Sequence, residues 1–186
     1  MKRFIALAVV LCTLVSFAAA KDLAPGALMD KGDLAISVGL GSGIFIGGLD
    51  VSAGVEFMMG AFKLGDLPLT WGLAAKANYW GYSVSNYWNY SYLGGAAFGT
   101  VHFTTNAMKL DSSMDWLKRF DWYVGLGLGF YSYTYSYDTY KESDFKLDFR
   151  GTSGFNYFFT ENLALVVEGG YYGYGGGGLL GVLFKL

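Results

Sequence analysis

His102 is the only imidazole in the chain, and it is the natural starting point for any chemistry. A general base needs a hydroxyl to deprotonate and a carboxylate to orient it. Thr100, Thr104 and Glu56 share the alternating row of His102 and are the candidates for those roles. A metal site would need a second imidazole or thiolate; the single cysteine, Cys12, lies in an apolar N-terminal stretch. No serine–histidine motif accompanies His102, so it is expected to be a satisfied interior side chain. No catalytic, cofactor-binding or metal-ligating residue is assigned. The other charges of interest are Lys76, Asp148, Arg150, Glu168 and Lys185. Together with Glu56 and His102 they stand opposite rows of large apolar residues, where they would either pair and plug an interior or line a narrow water path.

Glycine runs at 39–43, 125–129 and 175–178 have the look of phosphate loops, but none opens a helix within a strand–helix–strand unit. In the second run the glycines alternate inward and are expected either to make room for neighbours such as Arg150 or Tyr172 or to leave a cavity. A different chemistry is offered by Tyr87, Trp88, Tyr90, Tyr135 and Tyr137. Tyrosine and tryptophan mixed with serine and asparagine supply rigid aromatic area with adaptable hydrogen bonding, as binding loops do. The plainer expectation is that alternating tyrosines extend the neighbouring strands.

These residues sit on segments of period two. Residues 31–41 place Leu34, Ile36, Val38 and Leu40 on one face. Residues 49–60 do the same with Val51, Ala53, Val55, Phe57 and Met59, and 69–80 with Leu69, Trp71, Leu73, Ala75, Ala77 and Tyr79. Residues 92–105 carry Leu93, Ala97, Val101 and Phe103; a fifth segment from Phe120 carries Trp122, Val124, Leu126, Leu128 and Phe130. Residues 143–159 present Phe145, Leu147, Phe149, Phe155, Tyr157 and Phe159. A seventh segment presents Leu163, Leu165, Val167 and Tyr171. The last, 179–186, presents Leu180, Val182, Phe184 and Leu186. Eight such segments read as an all-β, eight-stranded antiparallel up-and-down transmembrane β-barrel.

The charges fix which face is which. The row opposite the apolar one is mostly glycine, alanine, serine and tyrosine with a few charges of both signs. That suits a narrow lumen and not a water-facing surface. Tyr123, Tyr131, Phe98, Met58, Phe158 and Tyr172 are large enough to fill it. With both termini periplasmic, Phe57, Trp71, Phe103, Trp122, Tyr157 and Phe184 fall at the periplasmic interface. Tyr79, Phe130, Phe145 and Tyr171 fall at the outer one, giving two aromatic girdles. Outer loops are expected at 42–48, 81–91, 134–142 and 173–178, and periplasmic turns at 61–68, 106–119 and 160–161. Within the second turn, 111–119 is expected to form a short interfacial helix capped by Ser112 or Ser113.

Both chain ends point to export. Met1-Lys2-Arg3, an apolar run from Phe4 to Phe17 and Ala18-Ala19-Ala20 make a secretory signal peptide cleaved after Ala20. Residues 21–30 would then be a periplasmic N-terminal segment and 31–186 the barrel, the mature chain being a barrel alone. Charged residues are only 15% of the chain. Thirteen basic residues, less Lys2 and Arg3, against fifteen acidic leave the mature chain about four negative. That charge balance, with no basic stripe, argues against nucleic acid.

At the C-terminus, Gly181, Phe184 and Leu186 resemble the assembly signal of outer-membrane barrels, with leucine where phenylalanine is commoner. With the strand count and signal peptide, the chain over 31–186 resembles the eight-stranded outer-membrane families of diderm bacteria: the OmpA membrane domain and OmpX-like, OmpW-like and opacity-type proteins. The resemblance implies location in the bacterial outer membrane, contact with lipopolysaccharide, and delivery to the β-barrel assembly machinery through the C-terminal strand. It leaves function open among envelope integrity, surface binding or adhesion to an extracellular ligand or glycan, and, as the alternative, a narrow OmpW-like conduit for small or apolar solutes. A lipid-modifying enzyme is a distant third.

Overall fold

The computed structural model describes residues 26–46, 48–84, 88–108, 110–137, 139–171 and 177–186. The expected signal peptide, Tyr87, Tyr172, residues 173–176 and the side chain of Tyr171 lie outside the described residues.

Eight strands form one closed antiparallel barrel: β1 (Leu34–Gly41), β2 (Leu49–Leu64), β3 (Leu67–Val84), β4 (Trp88–Thr104), β5 (Phe120–Tyr137), β6 (Tyr140–Phe158), β7 (Leu163–Tyr171) and β8 (Gly177–Lys185). Each pairs with its neighbours in sequence, and β8 closes on β1 through Ile36 opposite Phe184 and Gly39 opposite Gly181. Closure leaves no unpaired edge in the barrel wall, as backbone facing hydrocarbon requires. The period-two pattern then has one consistent sense. Leu126 and Phe149, on the apolar row, are 78% and 82% exposed, while Met58 and Phe158, on the opposite row, are 0%. Large apolar side chains face outward and the charged row faces the lumen.

Several connections are shorter than the sequence pattern suggested. β2 and β3 run on through the expected turn at 61–68 and meet with Leu64 opposite Leu67. Gly65, at φ +62°, takes the left-handed conformation this tight turn needs. The register shifts between Met58 and Gly60. This bulge exchanges the two rows of β2, so that Phe62 and Leu64 continue the outward apolar face. At the opposite end of the barrel, β3 reaches Val84, β4 starts at Trp88, β5 reaches Tyr137 and β6 starts at Tyr140. The expected loops at 81–91 and 134–142 are therefore mostly strand.

Between β4 and β5, Ser112–Arg119 forms a 3-10 helix. Its cap is Asp111, not Ser112 or Ser113: the Asp111 carboxylate accepts from the Ser113 backbone N–H at 3.1 Å. That bond, with the hydroxyls of Ser113 and Ser112, holds the carboxyl below the usual carboxylate range.

Candidate functional site: a filled lumen and a projecting aromatic face

The seven expected lumen charges fall into separate clusters. In the first, His102 is 1% exposed and lies between two carboxylates. Its Nδ1 is 2.8 Å from Asp121 Oδ2 and its Nε2 is 2.9 Å from Glu56 Oε1. Thr100 donates its hydroxyl to the same Glu56 oxygen, and Asn156 Nδ2 donates to Asp121 Oδ2 at 2.9 Å. Thr104 turns away and donates to the Phe120 carbonyl at 3.3 Å. Both imidazole nitrogens therefore face carboxylates, with Glu56 standing between His102 and the Thr100 hydroxyl. This order lacks the direct hydroxyl–imidazole contact of a nucleophile–base pair.

Lys76 pairs with Glu168, which also accepts from the Tyr123 hydroxyl. Tyr123 stacks on His102 at 5.3 Å, linking the two clusters. Nearer the far mouth, Arg150 Nε lies 2.5 Å from Asp148 Oδ1, and the guanidinium sits over the Tyr131 ring at 5.1 Å. A Cβ on Gly129 would come within 2.8 Å of Arg150 Cγ, so this inward glycine makes room for the arginine. Lys185 stands apart from all of these. Two cavities beside Lys76 and Glu168 measure about 20 Å³ each, on the order of one water apiece.

The lumen is stopped at the terminal end, and a turn packs at the rim of the far end. At the terminal end, residues 26–33 fold into the barrel instead of standing outside it. Leu28 and Met29 are buried against Met58, Phe158, Ala164, Val166 and Leu183. Thr70 donates its hydroxyl to the Met29 carbonyl at 2.8 Å, and Lys185 Nζ reaches the Leu28 carbonyl at 2.8 Å and Asp33 at 3.2 Å. At the far end, the turn Ser42–Ile46 lies against Trp80 and Asp50. Gly43 donates its N–H to Asp50 Oδ2 at 2.8 Å, and a Cβ there would meet the Trp80 ring at 2.4 Å. Only glycine fits that approach.

Beyond Gly81, where pairing with β2 stops, and Gly151, the last residue paired with β7 among the described residues, β3–β6 continue as a four-stranded sheet. Its inner row is aromatic: Tyr82 pairs with Tyr90, Tyr90 with Tyr135, Trp88 with Tyr137, and Tyr137 with Tyr140. Trp88 packs edge-on with Tyr135 and Tyr137 at 5.5 and 5.7 Å, and Tyr90 stacks on Tyr133 at 6.3 Å. Ser83, Asn89, Ser132, Thr134, Ser136, Lys141 and Ser143 occupy the outward row. Polarity is thus inverted relative to the barrel below. Trp88, Tyr90, Tyr135 and Tyr137 fall within the spans expected as outer loops, but they lie together on strands, as the plainer expectation of tyrosines extending the strands had it.

Of the expected interface aromatics, Phe103 pairs beside Trp122, and Trp122 packs at a tilt against Phe155 at 5.1 Å toward the terminal end. Tyr157 packs on Phe120 at 5.0 Å, while Phe57, Trp71 and Phe184 are outward and exposed. Toward the other end, Phe130 stacks on Phe145 at 5.8 Å and Tyr79 is outward. Asp121 and the 26–33 segment were missed. Asp121's only signal is its parity with Tyr123, and nothing in residues 26–33 has a strand or helix period.

No family model and no curated protein sequence matches the chain. Among solved structures, the attachment invasion locus protein Ail of Yersinia pestis is similar, with a TM-score of 0.55 at 13% identity. The match covers 84% of this chain and 99% of Ail. OprG from Pseudomonas aeruginosa gives a TM-score of 0.51 at 13% identity, over 87% of this chain and 99% of OprG. The fold is that of the eight-stranded outer-membrane β-barrels. Ail has also been crystallised with the heparin analogue sucrose octasulfate; that structure has a TM-score of 0.52 at 13% identity, covering 84% and 99% of the two chains.

Proposed function

We propose that this outer-membrane barrel is closed to solutes and works through its surface, presenting the aromatic face of β3–β6 to the cell exterior, with the termini periplasmic. The observation that carries this reading is the filling of the lumen. Leu28 and Met29 fill the terminal end, and paired charges occupy the middle. A conduit would need a continuous path, and the two cavities that Lys76 shares with Glu168 hold about one water each. Catalysis has no support in the His102 cluster, whose imidazole is engaged on both sides by carboxylates. In this reading lipopolysaccharide surrounds the outward apolar row, and Gly181, Phe184 and Leu186 of the C-terminal strand address the chain to the barrel-assembly machinery after cleavage at Ala20.

Single-channel recording of refolded residues 21–186 in planar bilayers tests it, once a heat-modifiable gel shift has confirmed folding. The native barrel should be silent. Arg150→Ala and Glu168→Ala should each either weaken the fold or open a conductance that the native chain lacks. Reproducible openings of the native barrel, with selectivity altered by those substitutions, would establish the conduit instead.

A further inference from the structure

We propose that the inner face of the projecting β3–β6 sheet binds uncharged saccharide chains supplied from outside the cell. This rests on the surface-binding reading above and adds the chemistry of the ligand.

Three rings of this face are left open to solvent: Trp88, Tyr137 and Tyr140 are 49%, 48% and 57% exposed. Flat aromatic faces in water are satisfied by the C–H face of a sugar ring, which is apolar while its rim carries hydroxyls. Edge-on packing of Trp88 with Tyr135 and Tyr137 fixes these rings before a ligand arrives, which lowers the entropy cost of binding. Hydroxyl recognition is at hand beside them. Tyr140 donates to Glu142 Oε2 at 3.1 Å, leaving the second carboxylate oxygen to accept from a ligand hydroxyl. Four strands at the usual spacing make a face about 14 Å wide, room for a short oligosaccharide lying across them.

Charge selects among saccharides. The projecting inner row of β6 carries Glu142, Asp144 and Lys146, and Lys146 lies 3.4 Å from Asp144. The ammonium is thus already partnered, and the row has no cationic surplus with which to hold sulfate or uronate groups. Of the two carboxylates, Glu142 has no cation partner among the described residues, too little to recruit a polycation. An uncharged chain is what remains. Orientation selects the source. Saccharides of the protein's own membrane surround the outward row of serine, threonine, asparagine and lysine, whereas the rings face the opposite way.

The test is calorimetric titration of residues 21–186, folded in phosphatidylcholine nanodiscs, with dextran, mannan and galactan. Lipopolysaccharide core oligosaccharide, heparin and polylysine serve as competing probes. The expected result is saturable binding of at least one neutral polysaccharide, unchanged when salt is raised. Trp88→Ala and Tyr137→Ala should each weaken it by about tenfold or more, the scale for an anchoring aromatic. Trp88→Phe should retain most of it, and Thr134→Ala on the outward row should leave it unaltered. Each variant is checked by its gel shift. Binding that survives loss of the rings, or salt-sensitive preference for heparin or polylysine, would overturn the proposal. Preference for the core oligosaccharide would overturn the external source. If no neutral polysaccharide binds while the barrel remains silent, the saccharide assignment falls and the closed barrel stands. A conducting native barrel would instead remove the parent reading.

Discussion

The His102 cluster concentrates the energetic stakes of the lumen in a few atoms. Glu56 and Asp121 are both buried, and the imidazole between them is within hydrogen-bond distance of each. Removing one partner from a buried ionic group costs about 3–5 kcal/mol, because the remaining charges lose their compensation. His102→Ala should therefore lower the unfolding free energy, read from urea titration in lipid vesicles, by that order. The double variant Glu56→Gln with His102→Ala should lose less than the two single losses combined. Additive losses would mean that the contact carries no coupling. Much of this cluster was legible in the sequence, because parity alone put Glu56, Thr100 and His102 on one row. Which carboxylate faces which nitrogen was not. That depends on inter-strand register, and period-two alternation is blind to it. Register set Asp121 beside His102 through Thr104, its opposite number on β4.

At the level of elements, the strands' identities were readable and their ends were not. The apolar outward row, which is what alternation makes visible, ends near Tyr79 and Phe145. Hydrogen bonding between strands does not stop there. Tyrosines continue on the inner row and serines on the outer, and both suit an extended backbone. Residues 26–33 are the opposite case, an irregular segment ordered by the cavity that receives it. Met29 is fully buried against Met58 and Phe158, so Met29→Ala should cost about 2–5 kcal/mol by leaving a void. Vesicle unfolding curves would read this as a lower midpoint with an unchanged slope. A midpoint equal to that of the native chain would place Met29 outside the barrel.

For the molecule as a whole, the closed barrel was legible because eight alternating segments and an inward charged row admit few other solutions. The asymmetry of the barrel was hidden, since it follows from pairing lengths. β3–β6 are 17 to 19 residues long, whereas β1 is 8. This unevenness bears on the bilayer itself. A strand of eight residues tilted by about 40° crosses only about 21 Å, so the side formed by β1 has no surplus length with which to match a thick hydrocarbon slab. Lipid next to that side must thin, while lipid next to β3–β6 need not. In vesicles of increasing acyl-chain length the unfolding midpoint should fall steadily from the thinnest bilayer upward; a midpoint that rises with chain length would refute the mismatch. The short β1 would thus suit the protein to a thin membrane, and its immediate lipid annulus would be thinner on that side than on the other.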